Sequence, residues 1–309
     1  MEFGIIPDVF RTSSYPSPER CDLHLSMLKK VLLDRGLVRN LRNGEWGNYI
    51  RDHLGSWDCR AKELVRKLVN QNRLHPTAAV LADAPVTDYQ WCAEAVASSS
   101  VTPLDGIIAC QETAAKFMGN PLVASVEDLA GAEWWQDRGQ SLYLPRQVEA
   151  YLRALGPVLS NANLLMFIDP HLDPSRPDYC QFVRILQAAR RTDGCSPRIE
   201  LHRVCYRGQS REVLKPEAWR KSFQEWDAPL RDANLGVSVY VWDDFHDRYL
   251  ITNLVGVLMS RGFDASNAPN ANAMWARIKR EDREIVQREF DHNNPPFRTL
   301  HAEFRLGLP

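Results

Sequence analysis

Phe245-His246-Asp247-Arg248-Tyr249-Leu250-Ile251-Thr252-Asn253 is the stretch that decides the fold and frames the chemistry. It sets a histidine two residues before an arginine, at the entrance to an apolar run of period two. In a β-strand, residues two apart point the same way. A strand here therefore predicts that His246 and Arg248 share a face, a nucleophile or proton donor beside a fixed positive charge. Such a pair suits a phosphate, because a guanidinium fork grips two phosphoryl oxygens. Asp244 falls on that same face, whereas Asp243 and Asp247 point away. It either supports His246 or forms an ion pair with Arg248. The plainer alternative for His246 is a buried imidazole that bonds the turn at Asp169 or Asp173.

Outward from this stretch, strands and helices alternate. Leu164 to Ile168 reads as a strong strand ending in Asp169-Pro170-His171-Leu172-Asp173-Pro174. His171 then lies at a strand's C-terminal end, where α/β folds place ligands, or is simply a turn residue. Pro145 reads as a first-turn proline opening a helix with Val148, Tyr151, Leu152 and Leu155 inward. Asp178 reads as the cap of a helix carrying Phe182, Ile185, Leu186 and Ala189. Ile199 to Val204 alternates as a strand, and Trp219 to Trp226 is helical. Val237, Val239 and Val241 form a strand face, and Val255 to Met259 adds another strand. Residues 273 to 290 read as a long charged helix, and Leu300 to Leu306 as an edge strand.

The first part is organised differently. Residues 1 to about 20, with Pro7, Pro16 and Pro18, read as an extended arm. Leu25, Leu28, Leu32 and Leu33 mark a helix that Gly36 stops, and Leu64, Leu68 and Val69 mark a second. Residues 1–76 are thus expected to form a small helical module, either winged-helix-like or a plain cap, ahead of an α/β domain over 77–309. Ala78 to Ala82 and Leu104 to Cys110 read as strands, with helices at Asp88 to Ala97 and Glu112 to Met118. Trp134 and Trp135 are expected in a polar loop, packed on the core. No internal repeat is visible.

The totals exclude several classes. Of 309 residues, 44% are hydrophobic and 25% charged, which is ordinary for a globular chain. A net charge of -1 gives no global field that would gather nucleic acid. Arginines 184, 190, 191, 198, 203, 207 and 211 are nevertheless dense, either as a local basic groove or as solvated surface charge. The seven cysteines include no C-x-x-C pair, so no zinc or dithiol motif is expected. An odd number of cysteines and the absence of an N-terminal leader pattern point to a reducing, cytoplasmic setting. No run is long and apolar enough for a transmembrane helix.

Tyr143 to Gly262 resembles the phospholipase D superfamily. Two features carry the resemblance: the strand ending in an acidic-proline turn, Leu164 to Asp173, and the His-x-Arg of His246-Asp247-Arg248. The family pattern is His-x-Lys, four residues, Asp. Here Arg248 stands for the lysine and Asn253 for the aspartate. The chain is similar above all to the phospholipase D-like domain of MIT-domain proteins, which pairs a His-Asp-Arg strand with Arg-Gly-Leu-Asp; Arg261-Gly262-Phe263-Asp264 occupies the matching place. The resemblance implies a mixed sheet flanked by helices, with His246 attacking phosphorus and a second histidine protonating the leaving group. It implies neither metal nor cofactor. Arg248 and Arg261 would hold phosphate, and Asp244, Asn253, Asp169, His171 and Asp264 would support them. Because no second His-x-Lys/Arg motif is present, an active form would be a homodimer that contributes His246 twice.

Three functions are consistent with this reading. One is a metal-independent phosphodiesterase, foremost a nuclease. The second is a catalytically silent domain binding nucleic acid, another phosphate-bearing ligand, an acidic membrane surface or a protein. The third uses the N-terminal helices as a nucleic-acid reader in a prokaryotic defence system, by analogy of architecture alone.

Overall fold

The structure, a computed structural model, describes all residues except 54, 56, 58, 137–140, 192–195, 209, 294–297 and 309. The chain divides into two compact units, Met1–Arg138 and Gly139–Pro309. Both are α/β, with sheets flanked by helices. Among the described residues, no helix is long and apolar enough to cross a membrane. None of the described cysteines forms a disulfide; Cys195 lies outside the described residues.

The first unit is built on five strands: β1 (Glu2–Ile5), β2 (Leu37–Asn40), β3 (Leu74–Pro76), β4 (Gly106–Ala109) and β5 (Val123–Ser125). They pair in the order β3-β2-β1-β4-β5, and every pairing is parallel. Its helices are α1 (Pro18–Arg35), α2 (Glu45–His53), α3 (Cys59–Asn70), α4 (Asp88–Val101), α5 (Gln111–Ala115) and α6 (Glu133–Gln136). All four residues of β1 and of β4 are buried. Strands covered on both faces lose the polar alternation that would reveal them.

This arrangement corrects the division at residue 76. The expected helices are present as α1 and α3, and α1 starts at Pro18 behind a Ser17 cap and stops at Gly36. Strands β1 to β3 are interleaved with them, so residues 1–76 form the first half of a larger parallel sheet. Within the arm expected over residues 1 to about 20, Glu2–Ile5 is the central strand, followed by short 3-10 turns at Pro7–Phe10 and Thr12–Ser14. Ala78 to Ala82, expected as a strand, is an exposed loop. There the Glu94 carboxylate accepts the Val80 and Leu81 N–H groups, at 2.8 and 3.0 Å, in place of a neighbouring strand.

Polar groups tie the strands together inside this unit. Arg39, fully buried, donates from Nε and Nη2 to the Glu2 carboxylate at 2.9 and 3.1 Å, and His75 Nδ1 lies 2.8 Å from the same group. Burial alone would raise the Glu2 pKa, but the bonds to His75 and Arg39 outweigh it and hold it at about 2. Paired, hydrogen-bonded charges are the form in which ionised groups tolerate an interior.

The second unit begins with β6 (Ser141–Pro145), α7 (Val148–Asn161), β7 (Leu164–Ile168), α8 (Phe182–Gln187) and β8 (Arg198–Val204). A small hairpin follows, β9 (Tyr206–Arg207) and β10 (Glu212–Val213), then α9 (Pro216–Phe223), α10 (Asp227–Asp232) and β11 (Gly236–Trp242). The chain ends with β12 (Tyr249–Thr252), β13 (Gly256–Met259), β14 (Asn272–Ile278), α11 (Arg280–Glu289) and β15 (Leu300–Gly307). Eight strands form one mixed sheet in the order β15-β11-β8-β7-β12-β13-β14-β6. β7, β8 and β11 are parallel neighbours, and the other pairings are antiparallel.

Both faces of the central strands are buried, one with Met166, Ile168, His202, Tyr240 and Trp242. Leu165, Phe167, Ile199, Leu201, Val237, Val239 and Val241 are all buried on the other. Phe182 packs edge-on against Phe167 and Phe263, with ring centroids 5.3 Å apart in each pair. The expected edge strand at the C-terminus is β15. The expected helix over 273–290 resolves into β14 and α11: Ala273 and Trp275 point inward with period two, and helix starts only at Arg280. Pro145 ends a strand instead of opening a helix, and Asp178 bonds Arg176 instead of capping α8. Trp134 and Trp135 lie in helix α6, with Trp135 buried.

Candidate functional site

Several connections meet at one edge of the second unit's sheet. The parallel strands β7, β8 and β11 all deliver their carboxyl ends there. β12 starts beside them, with Tyr249 opposite Ile168, and β13 returns so that the Met259 N–H bonds the Arg248 carbonyl at 2.9 Å. Residues 169–173, 243–248 and 260–264 therefore converge, although they are far apart in the chain. Carboxyl ends of strands are where α/β sheets gather ligands.

Asp169 is the hub of this edge. It is fully buried, and its carboxylate accepts the His171 N–H at 3.0 Å, the Phe263 N–H at 3.0 Å and the Tyr179 hydroxyl at 2.8 Å. Arg248 Nε stands 3.9 Å from the same Oδ1. Burial pushes the Asp169 pKa up, opposed by the two backbone N–H groups, the Tyr179 hydroxyl and the Arg248 charge. Its role is to hold three loops in register.

Gly262 makes that convergence possible. Its φ is +72°, a region that favours glycine. A Cβ there would overlap Asp169 Oδ2 and come within 2.8 Å of Asp169 Cγ and 2.9 Å of Arg248 Cδ. The next residue, Phe263, is buried against Phe167 and Phe182, which anchors the loop in the core.

His246 and Arg248 precede β12, so the shared strand face expected for them does not exist. They are neighbours by another route. Arg248 Nη1 turns back to the His246 carbonyl at 3.4 Å, and its side chain is 26% exposed. The His246 imidazole is 79% exposed, which removes the buried structural reading. Its Nε2 lies 3.9 Å from Asp244 Oδ2, too far for a hydrogen bond.

Asp244 is fixed independently. It accepts the Tyr206 hydroxyl and Arg211 Nη2, each at 2.6 Å. Its slight burial would raise the pKa, but those two bonds and the Arg211 and His246 charges lower it, so it stays ionised beside His246. The ion pair of Arg248 with Asp244, weighed from the sequence, is not formed; Asp169 takes that place.

Asn253 is corrected outright. It sits past the far end of β12, where its Oδ1 accepts the N–H of Asn163 at 2.8 Å and of Leu164 at 3.3 Å. It therefore caps the start of β7, at the sheet edge opposite His246. Asp264 pairs with Arg146, and its carbonyl accepts the Tyr151 hydroxyl at 2.9 Å. Arg261 is exposed and has no hydrogen-bond or ion-pair partner among the described residues.

His171 belongs to the same edge. Its imidazole pKa is lowered by burial and then by the charges of Arg248, Arg176 and Arg203. The dense arginines are only partly surface charge. Arg203 is buried with its guanidinium 3.2 Å from the Trp219 ring centroid, donating to the carbonyls of Leu172, Val204 and Tyr206. Arg207 donates to buried Asp173 at 2.8 and 3.2 Å. Tyr179 and Tyr206 were not singled out from the sequence, and Gly262 and Arg211 were noted there only within a motif and a charge cluster, because nothing local marks a residue whose partner is ten or more positions away.

A second polar feature lies in the first unit. Asp8, buried just after β1, accepts the Cys110 N–H at 3.2 Å. Burial and the nearby Asp88 raise its pKa to about 6 against the Thr113 and Cys110 bonds and the Arg11 charge. Strand order reverses between β1 and β4, so Asp8 stands at the topological switch point. The loop after β1, Ile6-Pro7-Asp8-Val9-Phe10, has none of the glycines of a dinucleotide fingerprint. Among the described residues, no group of three or more His, Cys, Asp or Glu side chains is arranged to hold a metal ion.

No known protein family and no curated protein matches the sequence. Among solved structures, the chain is similar to TrmBL2, an archaeal chromatin protein whose structure shows a novel mode of DNA binding. The identity is 9%, over 76% of this chain and 80% of that one, with a TM-score of 0.29. A likeness that slight carries over neither architecture nor ligand.

Proposed function

We propose that the sheet edge of residues 139–309 recognises a phosphodiester, foremost in a nucleic acid, and that His246 attacks its phosphorus, as the phospholipase D resemblance implies. One observation carries the reading: an imidazole open to solvent, beside a fixed carboxylate, next to an arginine held by a buried hub. An imidazole nitrogen forms a bond to phosphorus as the phosphorus–oxygen bond to the leaving alcohol breaks. Water then cleaves the phospho-histidine. Covalent catalysis of this kind divides one high barrier into two lower ones. Arg248 and the unpaired Arg261 would carry the charge that builds on the phosphoryl oxygens. The lowered pKa of His171 leaves that imidazole without a proton to give, so the leaving oxygen would take its proton from the His246 of a second copy, as the resemblance implies.

The test is cleavage of a single-stranded oligonucleotide and of bis(p-nitrophenyl) phosphate by the full chain. His246→Ala should lower the rate by about 10²–10⁴, the usual worth of a positioned acid–base or nucleophilic group. Turnover that survives His246→Ala would remove the reading. A second reading, recognition without turnover, is favoured by Asn253, which leaves no carboxylate at the position where the resemblance expects one. It predicts no cleavage by the native chain, and phosphodiester binding that Arg248→Ala abolishes.

A further inference from the structure

In the first unit, α2 and α3 flank a cavity of about 670 Å³. Its helical walls follow a simple spacing. α3 contributes Lys62, Val65, Arg66 and Val69, at i, i+3, i+4 and i+7, one face of a helix. On the other side stand Gly44, Gly47, Asn48 and Arg51 in the same spacing. A Cβ at Gly47 would press on the Asn40 side chain, 3.0 Å from its Oδ1, so glycine there lets Asn40 sit close. Trp46, Ile50 and Leu74 close the apolar floor.

The polar groups have a consistent sign. Arg51, Lys62 and Arg66 line the cavity, Arg51 within 3.6 Å of the Asp52 carboxylate and Lys62 donating to the Gly55 carbonyl at 3.3 Å, and none of the described lining residues is acidic. Arg66 has no hydrogen-bond or ion-pair partner among the described residues. Four asparagines, 40, 43, 48 and 70, add amide donors and acceptors. Asn40 is oriented: its Oδ1 accepts the Gly47 N–H at 2.8 Å, which leaves its NH₂ group to meet a ligand.

We infer that this cavity binds a mononucleotide. Its volume lies in the range of organic-ligand pockets, about 300–1,000 Å³. Three cations call for an anion such as a phosphate. The apolar wall of Val65 and Val69 suits the flat body of a base, and the amides suit its hydrogen-bonding edges. A bare inorganic anion would leave the wall and the amides without a role. The site is made wholly by the first unit and is independent of the chemistry at His246.

The experiment is calorimetric titration of the full chain with AMP, GMP, CMP and UMP, with inorganic phosphate and adenosine as comparison probes. At least one monophosphate should saturate the protein at least tenfold more tightly than inorganic phosphate or the nucleoside. Arg66→Glu and Val69→Glu, both at exposed positions, should weaken it at least tenfold without changing the melting profile, while Arg248→Ala leaves it unchanged. No saturable binding of any monophosphate at millimolar concentration would overturn the inference. So would phosphate binding equally well, or binding lost in Arg248→Ala but kept in Arg66→Glu.

Discussion

Replacing Gly262 with alanine tests the architecture of the sheet-edge site directly. Two costs add. The backbone is in the left-handed region at φ +72°, which costs an L-residue about 1–2 kcal/mol. The new methyl group would also collide with the Asp169 carboxylate and press on the Arg248 side chain. Relief requires the loop to withdraw, which breaks the 3.0 Å bond from the Phe263 N–H to Asp169. Losing a bond to a buried carboxylate costs about 1.5–3 kcal/mol. The expected destabilisation is about 2.5–5 kcal/mol, read by urea denaturation with tryptophan fluorescence. Gly208→Ala is the control: its φ is +69°, but the nearest neighbour of its added methyl is Ser210 Oγ at 3.9 Å. That variant should show the backbone cost alone. Phosphodiester affinity should fall with Gly262→Ala, because Arg248 is displaced, and not with Gly208→Ala. Equal destabilisation by the two substitutions would refute the idea that Asp169 is a crowded hub.

Two further outcomes follow from single residues. Asp8 ionises at about 6 in the folded chain against a usual value of 3.8, so its contribution is full below pH 3.8, is lost as pH rises to about 6 and is flat above. Asp8→Asn should remove that slope and stabilise the protein at pH 7 by on the order of 3 kcal/mol; identical pH profiles of the melting temperature for the two proteins would contradict it. Asn253→Ala should destabilise by about 1–2 kcal/mol, because it removes the acceptor of the Asn163 and Leu164 N–H groups, with phosphodiester binding and cleavage intact. A selective loss of binding or cleavage would return Asn253 to the site.

The sequence carried local information well and long-range information poorly, and the reason is physical. Leu164 to Ile168, Ile199 to Val204 and the valines of 237, 239 and 241 were readable because their own apolar pattern marks them. Strand β1 was not, since Phe3-Gly4-Ile5 is short, buried on both faces and followed by Pro7, a signature shared with extended arms. Residues 273–278 were absorbed into the helix behind them because Ala273 and Trp275 fit both periods over so few positions. At the site, His246, Arg248 and Asp169 could be named from residue type, but their relation could not. The shared strand face was a rule of period two applied to a segment that is not a strand. What brings Arg248 to its carboxylate is a contact across 79 positions, licensed by a glycine with no side chain to announce it. Asn253 was misplaced for the complementary reason: a motif fixes distance along the chain, whereas a sheet sends the two ends of one four-residue strand to opposite edges. A constellation of this kind is therefore specified by the loops that sheet topology brings together, and its geometry rests on Asp169 as much as on the histidine that first draws attention.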